Sequence, residues 1–158
     1  MTTDVVESTV QEVLEEVVTA LGLKGDVEVD RDGDVVTGTV HGHDLGLFIG
    51  RHGQTIDAVQ HLVFRIVLTR GGGVPAGDLR VVIDAEGYRA RRAEALQRLA
   101  DQAADDARRQ GRPVALDVMT ASERKLVHEY LRERGDVETY SEGDEPDRHL
   151  VVAPLGHG

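Results

Sequence analysis

The apolar and polar positions in the first half of the chain predict the order helix, strand, strand, helix, helix, strand over residues 4–85. Apolar residues recur at helical spacing over 4–21, and two alternating segments then flank Asp32-Gly33, a typical hairpin turn. A short helical turn, a longer helix, a loop over 71–75 and a buried-type strand over 79–84 complete this order. The apolar stripe of the first helix comprises Val6, Val10, Val13, Leu14, Val17 and Leu21.

A second set of patterns predicts a separate unit after residue 86. Residues 88–110 have the spacing of a long helix, and a strand is expected at 114–118. Thr120-Ala121-Ser122-Glu123 has the form of a capping box, which predicts a helix from there to about Glu133. The last expected element is a hairpin with strands at 137–141 and 149–152. The predicted boundaries are therefore 1–86 and 87–154, followed by a tail at 155–158.

Composition favours a folded, cytoplasmic protein. The chain has 158 residues, no cysteine and an apolar fraction of 40%, so disulfides and thiol chemistry are excluded. It contains no apolar run long enough to cross a membrane and no signal-peptide pattern at its start. These features predict one or two small domains without membrane insertion.

Charge is distributed unevenly along the chain. The formal net charge is −11, yet residues 41–112 carry eleven bases against nine acids. Residues 1–40 carry ten acids against two bases, and residues 113–158 carry ten against five. Because binding follows the local electrostatic field rather than the total charge, the middle third is the segment that repels a polyanion least.

The segment Ile49-Gly50-Arg51-His52-Gly53-Gln54-Thr55-Ile56 carries the strongest functional signal. Two glycines allow a sharp backbone bend, and the following helix starts with free N–H groups that favour an anion. Arg51 adds a fixed positive charge, whereas His52 is mostly neutral at pH 7. A plain connection between two helices is the alternative explanation of this turn.

This segment resembles the I-G-x-x-G-x-x-I signature of KH domains, and it lies within the element order of the bacterial-type (type II) KH fold. The resemblance implies that the loop clamps the backbone of single-stranded nucleotides while bases occupy an apolar groove. The positions that it assigns to nucleic-acid binding are Ile49, Gly50, Arg51, His52, Gly53 and Gln54.

The second unit resembles the R-three-H domain, a small α/β module named for its Arg-x-x-x-His motif. Arg124 and His128 are four residues apart on one helix face, with Lys125 beside them. The resemblance implies a second nucleic-acid contact at Arg124, Lys125 and His128. An exposed or internally satisfied Arg–His pair is the alternative. Arg89 and Arg92 are candidate additional phosphate contacts, unless nearby carboxylates pair with them.

A KH domain followed directly by an R-three-H domain resembles the Jag (KhpB) family, and the resemblance covers residues 4–154. It implies an α+β, bacterial, non-catalytic single-stranded RNA-binding protein that regulates cell shape, cell-wall biogenesis or division, with single-stranded DNA left open as a ligand. It also implies a complex with a small stand-alone KH protein. Many members have an additional N-terminal domain, for which these residues leave no room, so a short form is expected.

Other functions fit the sequence less well. The main rival is an adaptor whose two domain surfaces dock protein partners. The chain has no GxSxG or HExxH motif, no paired carboxylate motif and no need for a cofactor. His41 and His43 share a strand face but lack a third ligand, so no metal site is predicted. Aromatic residues are too few for a base-stacking sheet.

Overall fold

A computed structural model describes residues 2–70 and 77–156. The predicted loop at 71–75 and the last two residues of the predicted tail lie outside these residues. The chain divides into two compact units, one up to Arg89 and the other from Ala90 onward. This division falls three residues after the boundary predicted from the sequence.

The first unit has the element order expected of the bacterial-type KH fold. Its helices and strands are α1 (Thr2–Ala20), β1 (Gly25–Asp32), β2 (Val35–Gly42), α2 (Gly46–Ile49), α3 (Gln54–Arg70) and β3 (Arg80–Ala85), with a 3₁₀ turn at Arg51–Gly53 between α2 and α3. The order of the sheet is β1-β2-β3. β2 is antiparallel to β1 and parallel to β3. Because parallel strands begin at the same end of a sheet, the helices α2 and α3 must carry the chain back to the end at which β2 begins.

The core of this unit lies between the sheet and the helices α1 and α3. Every second residue of β2 is buried, because successive side chains of a strand point to opposite faces. The largest fully buried side chains of this core include Leu14, Phe48, Ile56 and Ile83. Phe48 and Ile56 lie on either side of the 3₁₀ turn, so the turn is anchored by the core at both ends.

Gly38 allows the close packing of α1 on the sheet. A methyl group at this position would lie 2.5 Å from Leu14 Cδ1, 2.8 Å from Val10 Cγ1 and 3.2 Å from Ile83 Cδ1. A larger side chain at this position would therefore force the buried side chains of Leu14 and Val10 on α1 to shift.

The second unit packs two helices on a three-stranded antiparallel sheet. Its elements are α4 (Tyr88–Gln110, whose first two residues belong to the first unit), β4 (Val114–Ala115), α5 (Ala121–Arg134), β5 (Val137–Glu142) and β6 (His149–Pro154). The sheet order is β4-β6-β5. The core combines Leu96 and alanines of α4 with Val127 and Leu131 of α5 and Leu150 and Val152 of β6.

The strand predicted at 114–118 is shorter than expected. β4 ends at Ala115, and Leu116 contributes one more backbone hydrogen bond, to the Leu150 carbonyl at 2.9 Å. Met119 is buried, and its carbonyl accepts a hydrogen bond from Arg124 at 2.6 Å. The regular pairing of β4 with β6 ends at Ala115, and Met119, just before α5, contributes its side chain to the core of this unit.

Ion pairs join α4, α5 and the residue just before β5. Arg134 donates to Asp101 at 3.0 Å, Asp105 at 2.5 Å and Asp136 at 2.9 Å. The hydrogen bond from Arg134 lowers the pKa of Asp105 below its ordinary value. The predicted C-terminal tail also has a contact, since the Gly156 N–H donates to Glu138 at 3.2 Å.

Replacing Gly38 with alanine tests the packing of α1. We expect Gly38→Ala to lower the free energy of unfolding by about 1–3 kcal/mol, because the added methyl group overpacks the core. The measurement is guanidinium denaturation followed by circular dichroism. Gly46→Ala is the control, since nothing lies within 4 Å of a methyl group there, and its effect should stay within about 0.5 kcal/mol. Equal effects of the two variants would contradict this packing.

Candidate nucleic-acid interface

The turn between α2 and α3 depends on positive φ angles at three residues. The φ angle is 75° at Gly50, 56° at His52 and 78° at Gly53. The Gly50 N–H donates to the Gly46 carbonyl at 2.8 Å and thereby closes α2. The chain then reverses within one 3₁₀ turn, and α3 starts at Gln54. Positive φ angles disfavour side chains with a β-carbon, so glycine is favoured at the first and last of these positions.

Each glycine of the turn also has a close internal neighbour. A β-carbon at Gly50 would overlap the Thr55 hydroxyl and lie 2.7 Å from Thr55 Cβ. A β-carbon at Gly53, which is buried, would lie 2.9 Å from the hydroxyl oxygen of Tyr88 and 3.1 Å from its Cε1 atom. The sequence explains both glycines by the sharp bend of the backbone, and the packing of Thr55 and Tyr88 against them is a second reason for glycine at these positions.

The tip of the turn faces solvent. Arg51, His52 and Gln54 are exposed, and Ile49 is half-buried against the core. The Arg51 guanidinium has no hydrogen bond or ion pair among the residues that the structure describes. Leu47, on α2 just before the turn, is 64% exposed. The turn thus combines an available cation with an adjacent apolar side chain.

Arg89 and Arg92, the candidate additional phosphate contacts, have internal partners instead. Arg89 donates to Asp57 at 3.0 Å, to Gln60 at 3.0 Å and to the Ile83 carbonyl at 2.7 Å. Arg92 forms an ion pair with Glu123 at 2.7 Å. Both arginines therefore fit the alternative given above, in which carboxylates of the chain pair with them. The interface proposed below does not include Arg89 and Arg92.

The second candidate cluster lies around the first half of α5. The Thr120 hydroxyl caps this helix by accepting from the Glu123 N–H at 3.3 Å, as the capping-box pattern predicts. The Glu123 carboxylate differs from the usual capping box, because it accepts from Arg92 at 2.8 Å. The cap fixes the first turn of α5, from which Arg124 and Lys125 extend.

Arg124 and Lys125 have different environments. Arg124 is only 8% exposed and donates to the Met119 carbonyl at 2.6 Å, the Arg148 carbonyl at 3.3 Å and the Glu145 carboxylate. It therefore joins α5 to the acidic loop between β5 and β6. Lys125 is exposed and has no hydrogen bond or ion pair within the described ranges 2–70 and 77–156.

His128 lies beside Lys125 at the edge of a cleft between α5 and β5. Its Nδ1 atom forms a hydrogen bond with the Thr139 hydroxyl, and the imidazole is exposed. The cleft has a volume of about 300 Å³, the lower end of the size range of small-ligand sites. It is lined by Ala121, Arg124, Lys125, His128, Thr139, Tyr140, Ser141 and Leu150.

Sequence reasoning missed the contribution of β5 to this cleft. Tyr140 is 43% exposed, and Thr139 holds the imidazole of His128. The sequence shows the alternation of apolar and polar residues along β5. That alternation alone does not show which of these residues lie next to a helix. The only signal was an aromatic residue at a solvent-facing strand position.

His41 on β2 has carboxylate partners, whereas His43 follows the end of the strand. His41 Nε2 contacts Glu28 at 2.7 Å, and its Nδ1 lies 3.5 Å from Glu86. The hydrogen bond with Glu28 raises the pKa of His41 above its ordinary value. No group of three or more metal-ligating side chains occurs in the part of the chain that the structure describes. Likewise, no helix among those residues is long and apolar enough to span a membrane.

Comparison with known protein families assigns each of the two units to a domain family. Residues 7–73 match the KH domain of KhpA/KhpB proteins, and residues 94–154 match the R-three-H domain. The chain belongs to the KhpB family. The two matches fall within the two compact units, and the KH match includes the whole turn from Gly50 to Gly53.

Relatives from several bacteria support this assignment. An RNA-binding protein KhpB of Lactiplantibacillus plantarum is 40% identical over 137 residues, which cover 87% of this chain and 41% of the relative. Proteins of the same name are 35% identical in Clostridium symbiosum and 34% identical in Bacillus subtilis. Those two alignments cover 90% and 89% of this chain, and 63% and 66% of the relatives. The chain thus spans less than two thirds of the length of these relatives.

Arg124 is the residue of the second cluster whose loss should destabilise the fold. We expect Arg124→Ala to lower the free energy of unfolding by about 1–3 kcal/mol, since it removes the hydrogen-bond donor of two backbone carbonyls and a carboxylate. Lys125→Ala, one residue away and exposed, should change it by less than about 0.5 kcal/mol. Guanidinium denaturation of both variants measures the difference. An unchanged free energy of unfolding in Arg124→Ala would mean that the contacts of Arg124 do not hold the acidic loop.

Proposed function

We propose that this protein is a non-catalytic, single-stranded RNA-binding protein. The turn from Gly50 to Gly53 grips the sugar-phosphate backbone, and the cleft beside α5 provides a second contact. The observation that carries the proposal is the exposed Arg51 guanidinium, which has no acidic partner among the described residues although the chain carries a net charge of −11. The RNA-binding names of the relatives support the same function.

The backbone contact at the KH turn is electrostatic and independent of base sequence. Arg51 supplies a permanent charge, and His52 lies exposed beside it at the tip. The N-terminus of α3 lies at the same tip, where the dipole of this helix favours an anion. Leu47 offers an apolar surface for a base next to this backbone contact. Selection of bases therefore depends on apolar side chains rather than on stacked aromatics.

In the R-three-H domain, we assign contact with RNA to Lys125 and His128 and a supporting role to Arg124. The first two side chains are exposed at the cleft, whereas Arg124 uses its donors internally. The second contact increases the affinity of the first through effective concentration when both engage one strand.

The cellular role follows from the family resemblance. We propose a cytoplasmic regulator acting after transcription on cell shape, cell-wall biogenesis or division, in complex with a small stand-alone KH protein. Sequencing of transcripts crosslinked to the protein in cells tests this role, because enrichment of cell-envelope transcripts is expected over a total-RNA background. A crosslinked pool that matches the background would contradict it.

Arg51→Ala should weaken RNA binding to the same extent for all sequences. Fluorescence anisotropy with a labelled, random-sequence single-stranded RNA pool measures the dissociation constant at several salt concentrations. Loss of one phosphate contact should reduce the slope of log affinity against log salt by about 0.7. Arg65→Ala is the matched control, because Arg65 is an exposed arginine of α3 and its loss changes the net charge equally.

The same experiment distinguishes the rival functions. A protein-docking adaptor predicts no binding of the RNA pool even at low salt, and a DNA pool of matched sequence tests selectivity. An unchanged salt slope in Arg51→Ala would contradict the contact assigned to Arg51. Substituting the glycines is a poorer test, since Gly50 and Gly53 are also required by Thr55 and Tyr88.

Lys125→Ala combined with His128→Ala should weaken binding of the RNA pool further without unfolding the second unit. Both side chains are exposed, so circular dichroism and the unfolding midpoint should stay near those of the parent protein. Arg132→Ala is the control, because Arg132 is exposed on the same helix but does not line the cleft. Unchanged RNA affinity of the double variant would mean that the cleft does not contact RNA.

A further inference from the structure

We propose that Tyr88 and Arg89, which lie after the KH fold in sequence, are positioning residues of the RNA-binding turn. The segment from Asp84 to Arg89 comprises the end of β3, a two-residue connection and the first two residues of α4. It belongs to the first compact unit. Neither residue was predicted to support the turn, and the KH match ends at residue 73. The proposal rests on the RNA-binding function proposed above.

Tyr88 packs directly on the second glycine of the turn. Its hydroxyl oxygen, Cε1 and Cζ atoms lie 2.9, 3.1 and 3.4 Å from the place where a β-carbon of Gly53 would be. Gly53 is buried although its neighbours His52 and Gln54 are exposed. The aromatic ring therefore covers the inner side of the turn and leaves the outer side, with Arg51, facing solvent.

Arg89 holds the first two turns of α3, the helix that follows the RNA-binding turn. Its guanidinium binds Asp57 and Gln60, which lie one turn apart on α3, and the Ile83 carbonyl of β3. Gln60 also accepts from the Ile83 N–H at 2.9 Å, so strand, helix and guanidinium form one closed network. Asp84 fixes the position of Arg89 by accepting from its backbone N–H at 3.1 Å.

The two residues therefore fix both sides of the same structural element. Tyr88 restrains the turn at Gly53, and Arg89 restrains the first two turns of α3, the helix that directly follows. Affinity falls in proportion to the fraction of molecules whose turn has the binding-competent conformation. Losing either residue should thus reduce affinity without removing an RNA contact.

Hydrogen exchange of the full chain without RNA tests the structural part. Tyr88→Ala should speed amide exchange over residues 50–55, whereas Tyr88→Phe, which keeps the ring, should leave the exchange close to that of the parent. Tyr130→Ala serves as the control, since it truncates a tyrosine of the second unit and should not alter exchange in the turn. Unchanged exchange in Tyr88→Ala would overturn the proposal, whatever the RNA result.

RNA affinity, measured with the same random-sequence RNA pool, tests the functional part. Tyr88→Ala should raise the dissociation constant at least about fivefold while the salt slope stays the same, and Tyr88→Phe should restore binding. Faster exchange in the turn with unchanged affinity would overturn the positioning role. If the parent chain fails to bind the RNA pool, the proposed function fails, and the exchange result still decides whether Tyr88 restrains the turn.

Arg89→Lys separates positioning from direct phosphate contact. A lysine keeps the charge but cannot bind two side chains and a carbonyl in the planar geometry of a guanidinium. Positioning predicts that Arg89→Lys weakens RNA binding at least about fivefold at an unchanged salt slope. Near-parental affinity of Arg89→Lys, with weaker binding and a reduced salt slope in Arg89→Ala, would instead identify a phosphate contact and overturn the positioning role of Arg89.

Discussion

The close approach of Thr55 to Gly50 is the constraint on which the exposed turn from Gly50 to Gly53 depends. Because the Thr55 side chain occupies the space of a β-carbon at position 50, only glycine fits there while α3 begins four residues later. Phe48 and Ile56 are fully buried on either side, so the core fixes both ends of the turn. A rigid scaffold thus holds an exposed tip, an arrangement in which binding costs little conformational entropy.

Internal ion pairs explain how a strongly acidic chain keeps a few cations available. Arg89, Arg92, Arg124 and Arg134 are all paired with carboxylates, and each pair joins separate elements or segments. Arg51 and Lys125 differ, since neither has such a partner in the described part of the chain. Local potential rather than net charge therefore decides where a polyanion is tolerated.

Much of the fold could be predicted from the sequence, because its elements have strong periodicity and clear terminators. The first helix, the hairpin at Asp32-Gly33 and the capped helix from Thr120 all follow from local chemistry. The length of β4 could not be predicted, because alternation over 114–118 does not show how far the partner strand β6 pairs with it, and the pairing ends at Ala115.

For the site, the exposed tip was recognisable from two glycines and two basic-type residues. The internal roles of Arg89 and Arg124 were not, since they depend on acceptors distant in sequence, such as Asp57 and Glu145. An arginine in a motif has the same local signature whether its guanidinium faces solvent or a buried carbonyl. The side-chain environment therefore had to come from the tertiary structure.

The outermost strands β1 and β5 carry acidic side chains at regular intervals. Asp26, Glu28, Asp30 and Asp32 are exposed along β1, and Glu138 and Glu142 along β5. An unprotected sheet edge can pair with the same edge of another molecule and start aggregation, and rows of like charge oppose that pairing. The surplus of carboxylates that weakens attraction to a polyanion thus keeps these two edges from polymerising.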